Sequence, residues 1–151
     1  YLPEFVNSVN GQFHLSYLLP NIYNLFIRKI TFGLNGGLVY PIFDGFMFYI
    51  ANPIFIVWFI CLMKDVFKKE MTAVKACICV AVIANIVLLC MHKTLGGWQF
   101  GARYTIDMIP MVFLYLLLSK KARPTRIEFI IGTVAIMFNI YGALAMTFLY
   151  N

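Results

Sequence analysis

The chain has 151 residues, of which 62% are hydrophobic and only 12% are charged, and its mean hydropathy is +0.84. Soluble domains carry roughly 25% charged residues, so a chain this apolar would expose large adhesive patches in water. The net charge of +6 comes from few residues between apolar runs, a pattern that favours membrane orientation and anionic lipid over nucleic-acid binding. The composition therefore predicts an integral membrane protein and excludes a soluble domain.

Residues 1–45 are predicted to form an interfacial segment, not a span. Pro20 suits the first turn of a helix, and Ile22, Leu25 and Phe26 follow it with amphipathic spacing. Neighbouring tyrosines favour the head-group zone, so we expect one or two interfacial amphipathic helices here. An irregular crossing into the first span is indicated by Gly33, Gly36, Gly37 and Pro41.

Four apolar segments follow, at about 46–63, 73–92, 103–119 and 128–150. The first is free of charge and, as a helix, extends about 28 Å, close to the thickness of a hydrocarbon core. The second reaches that length if Lys75 snorkels. The predicted fold class is all-α integral membrane, with four transmembrane helices preceded by the interfacial helices. Residues 46–151 would form this transmembrane region and residues 1–45 an extracytoplasmic segment.

The distribution of lysine and arginine predicts the orientation. The connectors after the first and third spans hold Lys64, Lys68, Lys69, Lys75, Lys120, Lys121, Arg123 and Arg126. The opposite side carries Arg28, Lys29, Lys93 and Arg103. The positive-inside rule places both basic connectors in the cytoplasm, with residues 1–45 and the C-terminus outside, in a membrane such as the bacterial inner membrane.

The outward N-terminal stretch begins without an initiator Met or a signal peptide. We therefore expect the chain to be the C-terminal portion of a longer polytopic protein. Translocation of a short N-terminal tail is the alternative.

The four cysteines all lie within apolar runs. Cys77 and Cys79 would point about 200° apart on a helix, which suits neither a disulfide nor a metal clamp. With Cys61 and Cys90 they are interpreted as small apolar fillers. The two histidines also lack the spacing of metal ligands, so no metal and no cofactor is predicted.

The loop GGWQFGARY, at 96–104, opens the third span and carries the strongest functional signal. Arg103 and Asp107 would share one face of an α-helix, with Asp107 about 6 Å deeper. A charged residue at mid-span costs about 2.5–3.5 kcal/mol, so such residues usually face a cavity or a partner. Pro110 would leave the carbonyl of Ile106 without its helical donor and open the backbone. An Arg–Asp pair that merely neutralises itself at the rim remains the alternative.

The polar residues within the other spans are expected to support the packing of helices and not catalysis. Asn52-Pro53 and Asn85 are expected to make interhelical hydrogen bonds and to kink their helices. On the outward side, Arg28 and Lys29 lie beside aromatic residues and are candidates for holding a lipid phosphate. Simple snorkelling is an equal alternative for this pair.

The run Gly97-Trp98-Gln99-Phe100-Gly101-Ala102-Arg103-Tyr104, followed by Asp107 and Pro110, resembles a pattern in bacterial multi-spanning glycosyltransferases of the GT-C class. The stretch from Phe13 to Tyr23 and the Asn52-Pro53 pair are similar to the middle of such mannosyltransferase-like proteins. The resemblance implies an enzyme that moves a sugar from a polyprenyl-phosphate carrier to an extracytoplasmic acceptor. On this interpretation the substrate- and phosphate-binding residues are Arg103, Asp107, Trp98, Tyr104 and Gln99, to which the outward stretch adds Arg28 and Lys29 as candidates.

Catalytic acids in that class usually lie in a first extracytoplasmic loop, and neither Glu4 nor Asp44 has that setting. The resemblance therefore implies that this chain binds carrier and acceptor and is inactive alone. An upstream part of the same polypeptide, or a partner membrane subunit, would supply catalysis. Membrane lipid and a polyprenyl-phosphate-linked sugar are the other expected partners, and nucleic acid is not one. The alternative is a non-enzymatic four-helix membrane protein, such as a flippase subunit or an assembly partner.

Overall fold

A computed structural model describes residues 8–29, 31–32, 38–39, 46–95, 100–119 and 123–148, which are mostly helical. A 3-10 turn at Leu15–Tyr17 leads into α1 (Leu18–Phe26), and the short strands β1 (Thr31–Phe32) and β2 (Leu38–Val39) pair antiparallel. The remaining helices are α2 (Phe48–Ala51), α3 (Ile54–Phe67), α4 (Ala73–Met91), α5 (Ile109–Leu118) and α6 (Arg126–Phe148). A six-residue 3-10 segment, Arg103–Met108, precedes α5. The helical class is confirmed, and the β1–β2 pairing was not predicted.

Two of the described helices are long and apolar enough to cross a membrane. They are α4, over its full 19 residues, and the Arg126–Ala145 part of α6. The other two predicted spans are each divided, one between α2 and α3 and one where the 3-10 segment meets α5. Four uninterrupted membrane helices are therefore not seen in the part of the chain that is described.

The division between α2 and α3 confirms the kink predicted at Asn52-Pro53. Proline has no backbone N–H to continue the helical ladder, and the chain leaves helical geometry at Asn52. The carbonyl of Ala51 accepts a hydrogen bond at 2.8 Å from the side-chain amide of Asn139, on α6. The interhelical bond at this break is therefore made by Asn139 and not, as predicted, by Asn52. The kink predicted at Asn85 is not observed, because α4 is continuous from Ala73 to Met91.

The core lies where α3, α4 and α5 pack together. Its fully buried side chains include Val82, Val112 and Tyr115, and the indole of Trp58 packs edge to face on the Tyr115 ring. Three of the thiols, on Cys61, Cys79 and Cys90, are buried in this core, whereas Cys77 is exposed. The predicted opposition of Cys77 and Cys79 is therefore confirmed.

Helix α1 covers the C-terminal end of α4. Pro20 lies in its first turn, as predicted, and Leu25 is fully buried on its amphipathic face. The last carbonyls of an α-helix have no intrahelical donor, and the side-chain amide of Asn21 satisfies two here, donating to Cys90 at 3.0 Å and to His92 at 2.7 Å. The apolar face of α1 therefore packs on the protein itself. The predicted glycine-rich crossing lies outside the described residues.

Helix α6 makes the least contact with the other helices. Only 11% of its most apolar window is buried, and large side chains such as Ile130, Val134 and Met137 are more than half exposed. It is held through α2 and through the ring of Phe138, which packs against Phe100 with the ring centroids 4.8 Å apart. So much exposed apolar surface would be costly in water and is expected in lipid.

Candidate functional site

A notch of about 290 Å³ lies where the C-terminal half of α4 meets the 3-10 segment, and we call it the Asp107 notch. Its lining residues are Phe13, Asn85, Leu88, Leu89, His92, Tyr104 and Asp107. Residues i and i+3 eclipse in a 3-10 helix, which has three residues per turn. The 3-10 backbone therefore aligns Tyr104 with Asp107, and both residues line the notch.

Asn85 lies on α4, and His92 is the extended residue that directly follows the end of this helix. The ring of His92 packs edge to face with Phe13, with the ring centroids 4.8 Å apart. Phe13 is held there because the adjacent His14 amide donates to Met91 at 3.0 Å. The N-terminal segment thus forms one wall of the notch.

Arg103 and Asp107 do not lie on one face, so the prediction of a shared α-helical face is wrong. Four residues span one and one-third turns of a 3-10 helix, which separates the two positions by about 120°. Arg103 is exposed, and its guanidinium carbon lies 5.5 Å from the ring centroid of Tyr104, within cation–π range. The cation therefore lies on the face adjoining the notch.

Pro110 does not open the helix backbone beneath the notch, contrary to the prediction. The carbonyl of Ile106 accepts a hydrogen bond from the N–H of Ile109, in 3-10 geometry. Pro110 falls in the first turn of α5, where a missing N–H leaves no carbonyl unsatisfied. Because the 3-10 segment ends at Met108, Pro110 enters α5 at a position where its missing N–H breaks no helical hydrogen bond.

The other predicted site residues lie elsewhere. Arg28 donates to the side-chain carbonyl of Asn24 at 3.0 Å and is half-buried, while Lys29 is exposed. Neither residue lines the Asp107 notch. Trp98 and Gln99 fall outside the described residues, so their predicted roles remain predictions.

A second polar site, which we call the Asp65 cluster, is buried at the opposite end of the helices. One carboxylate oxygen, Oδ2 of Asp65, accepts hydrogen bonds from Lys75 Nζ at 2.8 Å, Tyr115 OH at 2.9 Å and Ser119 Oγ at 2.8 Å. Asp65 and Lys75 are each only 6% exposed. The cluster joins the end of α3 to the beginning of α4 and the end of α5.

Lys75 does not snorkel, because its side chain turns inward to Asp65, although α4 has the length that was expected if it did. Burial of an ammonium group alone would cost several kcal/mol, and a hydrogen-bonded carboxylate offsets much of that cost. The ammonium also lies 5.9 Å from the centroid of the Tyr115 ring. Tyr115 and Ser119, four residues apart, reach Asp65 from one face of α5.

The stability of the protein is expected to fall in acid because of Asp65. Burial alone would raise the pKa of this carboxyl, but the hydrogen bonds from Lys75, Ser119 and Tyr115 outweigh burial and hold the pKa below its ordinary value. A lowered folded-state pKa contributes stability that is present above about pH 4 and is lost as the pH falls through the folded-state pKa. Thermal unfolding in detergent between pH 7 and pH 3 should show this loss. This acid-dependent loss of stability should be absent in Asp65→Asn. A loss of the same size between pH 7 and pH 3 in that variant would contradict the assignment.

Sequence reasoning missed both groups of partners, although each left a local signal. Asn85 and His92 have the seven-residue spacing of a common helical face. An acidic residue at the end of an apolar helix, as Asp65 is, indicates a buried partner. Which cation would supply that partner could not be read from the chain, because several lysines lie nearby.

The two polar sites differ in what they offer chemically. The Asp65 cluster is closed, and its hydrogen bonds serve to hold three helices together. The Asp107 notch is open and presents an amide, an imidazole, a carboxylate and two aromatic rings, with the guanidinium of Arg103 beside them. No family model, curated protein or solved structure matches this chain.

Proposed function

We propose that this chain is the C-terminal membrane part of a glycosyltransferase that moves a sugar from a polyprenyl-phosphate carrier to an extracytoplasmic acceptor. Its contribution is the binding of carrier and acceptor. The observation that carries the proposal is the Asp107 notch, which gathers hydrogen-bonding groups and aromatic rings next to an exposed arginine. A catalytic carboxylate would come from an upstream part of the polypeptide or from a partner membrane subunit.

Four spans of the bacterial inner membrane are part of this proposal. Residues 46–63, which hold α2 and most of α3, extend about 27 Å at the rise of a helix, and the 3-10 segment with α5 also extends about 27 Å. Both lengths are close to that of a hydrocarbon core. A broken helix is tolerated in lipid where its freed backbone groups are satisfied, as Asn139 does for the carbonyl of Ala51.

The distribution of charge supports an outward notch. The Asp65 cluster and the exposed basic residues Lys64, Lys68, Arg123 and Arg126 lie at the end of the helices where α3 and α5 finish. The Asp107 notch lies at the other end. Under the positive-inside rule the basic end is cytoplasmic, which turns the notch to the outside.

Different groups at the notch suit the phosphate and the sugar of the substrate. A guanidinium matches phosphate oxygens with two parallel hydrogen bonds, so Arg103 takes the phosphate. The carboxylate of Asp107 repels a phosphate but accepts hydrogen bonds from sugar hydroxyls, and Asn85 provides both a donor and an acceptor. Tyr104 offers a ring face to the sugar.

Binding of undecaprenyl phosphate to the purified full chain, measured by native mass spectrometry, tests this proposal. Arg103→Ala should weaken binding about ten- to hundredfold, because hydrogen bonds to charged groups contribute about 1.5–3 kcal/mol. Arg123→Ala removes an exposed arginine at the opposite end and should leave the affinity unchanged. Absence of binding to the wild-type chain, or equal affinity in Arg103→Ala, would reject a phosphate site at Arg103.

A non-enzymatic carrier-binding protein, such as a flippase subunit, is the second candidate. It is favoured by the fact that Asp107 is the one carboxylate among the described residues lining the notch. Sugar transfer in membranes containing the chain together with its native upstream sequence or partner separates the two. Transfer that is lost in Arg103→Ala supports the enzyme, and carrier binding without transfer supports the alternative.

A further inference from the structure

A long groove of about 670 Å³ runs between α3 and α6, and we call it the α3–α6 groove. Its walls follow one stripe of each helix, with a side chain contributed about once per turn. Ile56, Ile60 and Lys64 come from α3, and Gly132, Ala135 and Asn139 come from α6. Apart from the two ends of the groove, these walls are almost entirely apolar.

The dimensions of the groove suit a single hydrocarbon chain. It extends from Ala51, at the end of α2, to Lys64 in α3, and the α3 part of this wall is about 15 Å of helix. Its volume of about 670 Å³ lies within the range of about 300–1,000 Å³ that is usual for pockets that enclose a small ligand.

The two ends of the groove differ in charge. One is closed by the hydrogen bond from Asn139 to the carbonyl of Ala51. The other is lined by Lys64 and Glu128, and the carboxylate of Glu128 accepts a hydrogen bond from the Thr125 amide at 2.8 Å. Further exposed cations on the same two connectors are Lys68, Lys69, Arg123 and Arg126. The open end is therefore basic and attracts an anion.

We propose that the α3–α6 groove binds one acyl chain of an anionic phospholipid, with the lipid phosphate at Lys64. An amphiphile with a negative head and an apolar chain at least about 15 Å long matches both the charge and the shape. The inference rests on the membrane placement in the proposed function but not on sugar chemistry. At Gly132 an added Cβ would meet nothing within 4 Å, so the wall there has room for the chain.

Native mass spectrometry of the full chain, titrated with phosphatidylglycerol or phosphatidylcholine, tests the proposal. The wild-type chain should prefer phosphatidylglycerol. Lys64→Gln should reduce that preference about fivefold, the effect expected of one basic residue near a membrane surface. Lys68→Gln, which removes a charge from the same connector outside the groove, should change it less. Equal binding of the two lipids to the wild-type chain would overturn the proposal.

Filling the groove provides an independent arm. Gly132→Leu should lower the binding of both lipids at least tenfold, while Thr133→Leu, on a face of α6 that does not line the groove, should not. Thermal unfolding should show that both variants are folded. Undiminished lipid binding in Gly132→Leu would overturn the site. Lys64→Gln leaves Arg103 intact. Binding of undecaprenyl phosphate that is lost in Arg103→Ala but kept in Lys64→Gln would show that the notch and the groove are separate sites.

Discussion

Replacement of Asp65 by alanine is expected to lower the free energy of unfolding by about 3–5 kcal/mol, the range seen when one partner of a buried ion pair is removed. The variant leaves the ammonium of Lys75 buried, with the carbonyl oxygen of Glu70 at 3.4 Å and the Tyr115 ring as remaining partners. It also removes the acceptor of both hydroxyl groups in the Asp65 cluster. Unfolding in detergent, followed by circular dichroism, measures the loss.

Two controls separate this effect from a general loss of negative charge. Glu70→Ala removes an exposed carboxylate near the cluster and should change the free energy of unfolding by less than about 0.5 kcal/mol. The double variant Asp65→Ala, Lys75→Met removes both charges and should recover much of the loss. A double variant no more stable than Asp65→Ala would show that Lys75 is not the reason for the cost.

The same substitution at two glycines of α6 is expected to have opposite effects. A Cβ at Gly142 would overlap the ring of Phe100, including its Cγ, so the ring cannot avoid the clash by rotating about its own axis. Phe100 also packs against Phe46 and Phe138, with ring centroids 5.1 Å and 4.8 Å away. Gly142→Ala should therefore destabilise the protein by about 1–3 kcal/mol, as overpacking does.

Gly132→Ala is the matched control, since its Cβ has open space within 4 Å. Alanine is the better helix former by about 1 kcal/mol, so this variant should be equally or more stable than the wild type. Thermal unfolding of both variants under one set of conditions makes the comparison. If Gly142→Ala is as stable as Gly132→Ala, the Phe100 ring does not hold α6 against the rest of the protein.

Much of the helical architecture follows from hydropathy alone. The apolar runs that predict α4 and α6 are long and nearly uncharged, and the observed helices follow them to within a few residues. The break at Asn52-Pro53 was also predictable, because proline cannot donate to the helical ladder. These features depend on properties of one short stretch of chain at a time, which a sequence displays directly.

The 3-10 segment before α5 was not predictable from those properties. The apolar run favoured one α-helix from residue 103, and on that basis Arg103 and Asp107 were placed on one face. The observed backbone instead aligns Tyr104 with Asp107 and turns Arg103 aside. An α-helix and a 3-10 helix differ by a small change in dihedral angles, and packing against neighbouring helices decides between them.

By itself the sequence determined which segments are helical and apolar, where proline interrupts them and where basic residues concentrate. The tertiary structure alone decided that Lys75 turns inward to Asp65, that Asn139 satisfies the carbonyl of Ala51, and that Asn85 faces the same notch as Asp107. The reason is physical: hydropathy and backbone propensity act locally, whereas a buried charge or amide is satisfied by whichever distant group the packing of the helices brings within hydrogen-bonding distance.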